Sequence, residues 1–152
     1  MKIWMNGSVM EDKEAAVSIY DHGFLYGIGL FETFRTYRGN PYLFEDHLAR
    51  LRDGCVQLNM EWSYSAEFLR NQIAGLLEAN GLSDAYIRLS VSAGQDILGL
   101  PSGNYTRPNV ILYMKALPPI QREIYEKGKP LQLLSIRRNS PEARSASNPF
   151  II

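Results

Sequence analysis

The stretch Tyr86 to Ser92, YIRLSVS, alternates without a break. Ile87, Leu89 and Val91 fall on one side of an extended chain, and Tyr86, Arg88, Ser90 and Ser92 on the other. A strand patterned this way buries one face and leaves the other polar, so it needs neighbouring strands and a covering layer. That layer is legible upstream. From Glu45 the apolar period changes, and Leu48, Leu51, Cys55 and Leu58 recur at spacings of three, four and three, one face of an amphipathic helix. A second helix is predicted from Ser65, a good N-cap, through Leu69, Ile73, Leu76 and Leu77. It ends at Asn80-Gly81, a pair suited to a left-handed cap.

Further strands are expected at Ile3 to Met5, entering a tight Asn6-Gly7 turn, and at Leu30 to Tyr37, which is rich in aromatic and β-branched residues and ends at Gly39-Asn40-Pro41. Asn109 to Met114 and Leu131 to Ile136 are two more candidates, and Ala15 to Ile19 is a shorter one. Gly23, Gly27 and Gly29 mark a turn before the strand that starts at Leu30. The result is an α+β domain, a sheet with two packed helices, over residues 1–118. Residues 119–152 read as a linker and the start of a further unit. The chain ends on Phe150-Ile151-Ile152, and so reads as if it stops before its partner layer.

Composition limits the function classes. Sixteen basic and sixteen acidic residues leave no net charge, which disfavours nucleic acid and acidic membranes as partners. A single cysteine and two histidines exclude a disulfide framework and provide no zinc set. The N-terminus has no apolar leader core, no apolar run approaches the length of a membrane span, and a cytoplasmic setting is expected.

Several residues then invite chemistry. Gly27-Ile28-Gly29 lacks the third glycine and the following helix of a dinucleotide cradle. Asp21-His22 could be a base with its orienting acid, but an aspartate beside a glycine turn more often bonds the local backbone. Arg50 lies off the apolar stripe of its helix, where a guanidinium could hold a phosphate or simply face solvent. Tyr86 and Arg88 share the polar face of their strand and could meet an anion there or form a surface salt bridge.

Four separated runs bear on these choices: DHGFLYGIGLFETFRTYRG, PYLFEDHLARL, YIRLSVSAG and LLSIRRNSPE. In this order they closely resemble the class IV aminotransferases, the fold type IV pyridoxal-phosphate enzymes that include branched-chain aminotransferases, D-amino acid aminotransferases and aminodeoxychorismate lyases. The resemblance implies pyridoxal 5'-phosphate as cofactor, with His47 and Arg50 in the family's HxxRL motif and Arg50 on the cofactor phosphate. By the same resemblance Tyr26 and Phe31 border the substrate pocket and Arg35 supports that wall. Tyr86 and Arg88 stand where branched-chain enzymes carry a Tyr-x-Arg that lines the substrate site. A homodimer acting on a small-molecule substrate is implied, with no metal.

The wording GFLYGIGLFETFR and SIRRNSPE is most similar to aminodeoxychorismate lyases, which release pyruvate and 4-aminobenzoate. Branched-chain transamination is the alternative. The D-amino acid enzymes carry a tyrosine in place of Phe31, and an arginine and a histidine in the loop equivalent to Gly94 to Gly103, so they fit less well.

One departure stands out. The family's Schiff-base lysine follows the RRN[ST]PE motif, yet here Ala146 or Asn148 occupies its place, depending on the alignment, and the chain's five lysines all precede it. The expectation is therefore that no catalytic lysine lies in this chain and that the chain alone is inactive. It reads as a truncated or partly disordered enzyme, or else as a non-catalytic binding or dimerisation domain that lost the lysine.

Overall fold

The first hairpin follows from its turn. Asn6 and Gly7 both take positive φ, 49° and 98°, the combination whose twist matches two antiparallel strands. They join β1 (Lys2–Met5) to β2 (Ser8–Glu11). The computed structural model describes residues 1–99, 103–119, 122–133 and 135. Its remaining elements are α1 (His22–Tyr26), β3 (Gly29–Tyr37), β4 (Asn40–Pro41), α2 (Phe44–Gln57), α3 (Ala66–Ala79), β5 (Ala85–Ser92), β6 (Asn109–Ala116) and α4 (Arg122–Lys127).

The strands form one six-stranded sheet in the order β2-β1-β6-β5-β3-β4, with every neighbouring pair antiparallel. Register carries the alternation of β5 across the sheet. Leu89 stands opposite Glu32 of β3 and Leu112 of β6, Ile87 opposite Phe34 and Met114, and Val91 opposite Leu30 and Val110. These rows make the helix-facing side. Leu48, Leu51 and Cys55 of α2, with Leu69, Ile73, Leu76 and Leu77 of α3, close over it in a single core that also buries Trp4. Each such aliphatic side chain contributes about 1.5–3 kcal/mol by leaving water. Ser65 caps α3 as its identity predicts, accepting from Phe68 N at 3.1 Å, and Gly81 beyond its end has φ 64°. No helix among the described residues is long and apolar enough to cross a membrane.

Three expectations need correction. Ala15 to Ile19 is not a strand. The chain leaves β2 through a single 3-10 turn at Asp12–Glu14, and Ala15 packs against Ile3, Met5 and Ile111 on the second face of the sheet. Without a strand edge to pair with, its β-branched residues gain nothing from extended geometry, and Val17 and Ile19 stay exposed. Residues 131–133 are not a strand either: Leu131 and Leu133 are 98% and 99% exposed, and extended apolar residues without a paired edge gain nothing from strand geometry. Leu134 and Ile136 of that candidate lie outside the described residues. The glycine turn is in fact a single helical turn, α1. Asp21 caps its start and Gly27, at φ 70°, ends it in the left-handed region that a residue without Cβ enters freely.

Candidate functional site

β3 is the strand on which the predicted residues converge, because its outer edge is almost bare. β4 pairs only with Thr36 and Tyr37, so from Gly29 to Arg35 no described strand lies beyond it. Alternation along β3 sends Leu30, Glu32 and Phe34 toward the helices, and Phe31, Thr33 and Arg35 to the opposite, open face.

On the helix side Glu32 meets α2. Its Oε1 accepts from Arg50 Nε at 3.0 Å, and its Oε2 accepts from Arg50 Nη2 at 2.9 Å. His47 Nδ1 lies 2.6 Å from the same Oε2. Two acceptors would not approach so closely, so the Nδ1 proton points at Glu32. Arg50 Nη2 is also 2.9 Å from that nitrogen, but a protonated Nδ1 has no lone pair to offer, and this approach is packing. Phe34 lies against the imidazole, with centroids 5.2 Å apart. The hydrogen bond to Glu32, aided by its charge, raises the Arg50 pKa above the ordinary arginine value. Glu32 and His47 are mostly covered, with side chains 17% and 16% exposed, whereas the Arg50 side chain is 59% exposed. No hydrogen bond to Arg50 Nη1 is made among the described residues.

The open face has a different chemistry. Phe31 stands opposite Ser90, and Thr33 opposite Arg88, so Phe31 and Arg88 are diagonal neighbours. The Arg88 guanidinium carbon sits 3.8 Å from the Phe31 ring centroid, and Arg88 Nε donates to Ser90 Oγ at 3.1 Å. No carboxylate pairs with Arg88 among the described residues, which sets aside the surface salt bridge. Tyr86 faces the same way, with Lys115 Nζ 4.8 Å from its ring centroid. Arg35, opposite Tyr86, turns toward the end of the strand, its guanidinium 4.0 Å from the Tyr37 ring.

Tyr26 belongs to neither face. It ends α1, and its hydroxyl accepts from Gly99 N at 2.9 Å, tying down the loop after β5. The same loop is held by His22, whose Nε2 lies 2.7 Å from the Ile97 carbonyl oxygen and must therefore donate to it. Its Nδ1 is hydrogen-bonded to the Tyr105 hydroxyl at 2.9 Å. Asp21 is buried and accepts from Gly23 N at 2.6 Å, Ser92 Oγ at 2.7 Å and Asn109 Nδ2 at 2.6 Å. Neither side chain serves the other, so the pair is architectural, as the turn reading of Asp21 expects.

The structure thus brings His47 and Arg50 together on one face of β3, and Phe31 and Arg88 together on the other, with Tyr86 further along that second face opposite Arg35. Among the described residues no strand covers the edge of β3 from Gly29 to Arg35. Arg35 and Tyr26 flank the open face. The expected lysine positions, Ala146 and Asn148, lie outside the described residues. Glu32 was not among the candidates. The available signal was its parity with Leu30 and Phe34, an acid in an apolar row.

Residues 29–150 match the model of the amino-transferase class IV family. Over 142 residues the chain is 41% identical to the aminodeoxychorismate lyase of Bacillus subtilis, covering 92% of this chain and 47% of that one. The solved branched-chain aminotransferase of Thermoproteus uzoniensis superposes with a TM-score of 0.69 at 25% identity, over 78% of this chain and 41% of the other. The 4-amino-4-deoxychorismate lyase of Pseudomonas aeruginosa does so with a TM-score of 0.64 at 30% identity, over 83% and 44%. The chain spans about half the length of these relatives. A family match across most of the chain, with the HxxRL residues on α2 seated against β3, leads to one conclusion: the chain belongs to the class IV aminotransferases.

Proposed function

We propose that these residues form the N-terminal part of a pyridoxal-phosphate-dependent aminodeoxychorismate lyase, an enzyme releasing 4-aminobenzoate and pyruvate. The observation that carries this reading is the 41% identity to the lyase of Bacillus subtilis across 92% of the chain. Residues 1–118 are its small domain, and residues 119–152 the linker and the start of a larger one. In support, the sheet ends with β6 at Ala116, and the described residues beyond it add only the short α4. The enzyme is proposed to work in the cytoplasm as a homodimer, consistent with the exposed apolar side chains of Phe24, Ile97 and Leu98 near the bare end of β3.

The donor set fits the phosphate end of the cofactor. Glu32 occupies the Nε–Nη2 edge of the Arg50 guanidinium, and the Nη1–Nη2 edge has no other described partner. A planar guanidinium can hold a carboxylate on one edge and a phosphate on the next. Arg50 is assigned to the phosphate, with His47 supporting it through Glu32. Phe31, Arg88 and Tyr86 are assigned to the substrate wall, with Arg35 and Tyr26 at its margins. Arg88 would meet an anionic group, since a cation held by an aromatic face and a hydroxyl keeps donors to spare. The pyridoxal ring, when bound, draws electrons from the bonds around the substrate's amino carbon. This chain's part is to anchor, orient and enclose. The family's covalent lysine falls at Ala146 or Asn148, neither of which can supply it, and these residues alone are proposed to be inactive.

Branched-chain transamination is the second reading, favoured by Tyr86 and Arg88 on the open face that also carries Phe31. Assay of the full-length gene product with aminodeoxychorismate, following 4-aminobenzoate and pyruvate, should give turnover. Turnover only with leucine and 2-oxoglutarate would replace the lyase with the aminotransferase. Inactivity with both, together with no binding of pyridoxal phosphate, would leave a non-catalytic domain.

A further inference from the structure

Glu32 occupies a position where packing alone asks for an apolar residue. It stands between Leu30 and Phe34 in the row that faces the helices, opposite Leu89. A largely covered carboxylate is costly there unless donors compensate it. It has three: both oxygens take the Nε–Nη2 edge of Arg50, and Oε2 also takes His47 Nδ1. An ordinary surface ion pair joins two mobile side chains. Here the acid rises from a paired strand and meets two bases one turn apart on α2, so two side chains of one helix converge on one carboxylate.

We propose that Glu32 is the positioning residue for the phosphate-binding arginine. Its carboxylate, braced by His47, fixes the Nε–Nη2 edge of Arg50 and so holds the Nη1–Nη2 edge ready for the cofactor phosphate. This inference rests on the assignment of Arg50 to that phosphate. Half-exposed and otherwise unsupported, the arginine would sample many rotamers, and each would have to be given up on binding. The opposing effect is charge. Glu32 removes one unit of positive potential near the phosphate, but at a water-exposed guanidinium that contribution is screened, and orientation dominates.

The test uses the full-length protein and measures dissociation constants for pyridoxal phosphate, for inorganic phosphate as competitor and for pyridoxal, which lacks the phosphate. Glu32→Gln should weaken pyridoxal phosphate and inorganic phosphate roughly tenfold, the factor that matches freeing one long side chain, and leave pyridoxal unchanged. In an Arg50→Ala background the same substitution should change pyridoxal phosphate affinity less than about twofold, because its route of action is gone. Glu32→Met, which fills the volume without charge, should reproduce the loss and keeps the test open if the glutamine variant fails to fold. Equal weakening in the Arg50→Ala background, an equal loss for pyridoxal, or unchanged or tighter binding by both Glu32 variants would overturn the proposal while leaving the role of Arg50 intact. If Arg50→Ala itself leaves pyridoxal phosphate affinity unchanged, the phosphate assignment falls and the positioning role falls with it.

Discussion

The two faces of β3 hold one arginine each from a neighbouring element, and they hold them differently. Arg50 is gripped by a carboxylate along one edge, with a histidine on the same oxygen. Arg88 lies over a phenyl ring with one hydroxyl for company. A bidentate charged pair defines direction, whereas a cation over an aromatic ring contributes only about 0.5–1 kcal/mol at an exposed site and is readily exchanged for an anion. The first arrangement suits a group that stays in place between turnovers, and the second a group that must come and go. The contrast extends to what lies beneath: the helix side is a dry core, and the open side an assortment of polar and aromatic side chains.

The dryness of the helix side makes the largest prediction. Burial pushes the Cys55 thiol up to about 11, against about 8.5 for a free cysteine. At pH 8 the native protein should react with a thiol reagent at least about a hundredfold more slowly than the unfolded chain, a difference read from labelling with and without denaturant. Rapid native labelling would mean that α2 opens. The sign of the linkage follows: the unfolded chain loses this proton first, so its contribution to stability is intact below about pH 8.5 and declines as pH rises toward 11.

Adjacent residues of β5 sharpen the comparison next. Leu89→Ala, on the helix side, should cost about 2–5 kcal/mol of stability in a denaturant titration. Arg88→Ala, one residue away on the open side, should cost less than about 1 kcal/mol. Similar losses at both positions would erase the distinction between a core face and a site face.

Then come the two arginines as ligands. Arg50→Ala in the full-length protein should weaken pyridoxal phosphate roughly ten- to a hundredfold, the equivalent of about 1.5–3 kcal/mol for charge-assisted hydrogen bonds, and Arg50→Lys should recover only part. Arg52→Ala, on the same helix but bonded to the Tyr64 carbonyl, is the control and should leave affinity nearly unchanged. The smallest effect belongs to the aromatic support. Phe31→Leu should raise KM for the anionic substrate by a factor of about two to five, with cofactor affinity untouched, because only the ring face under Arg88 is lost. A change in cofactor affinity at Phe31 would show that the two faces are not separate.

Much of this was legible in the residue order. The alternation in Tyr86 to Ser92 became β5 with Ile87, Leu89 and Val91 buried, and the spacing from Leu48 to Leu58 became α2. Ser65 and Gly81 terminate α3 through local backbone chemistry that needs no partner. Ala15 to Ile19 and residues 131–133 carry strand-like composition too, but a strand exists only where another edge is available, and composition does not reveal edges. The role of Glu32 is hidden in the sequence for a related reason. Its partners are 15 and 18 residues away on a helix, and the register that brings them within bonding distance is set by how α2 seats on the sheet.

The sequence by itself determined which way each side chain faces within its own element, because helix and strand periods are properties of the local backbone. It also identified the family, through motifs whose order survives any folding. Only the tertiary structure decided that His47 and Arg50 share a carboxylate on one face of β3 while Phe31 and Arg88 meet on the other, with a bare edge between them. Contacts of that kind depend on strand register and helix seating, which are settled jointly by the packing of the whole core and are written in no single stretch of the chain.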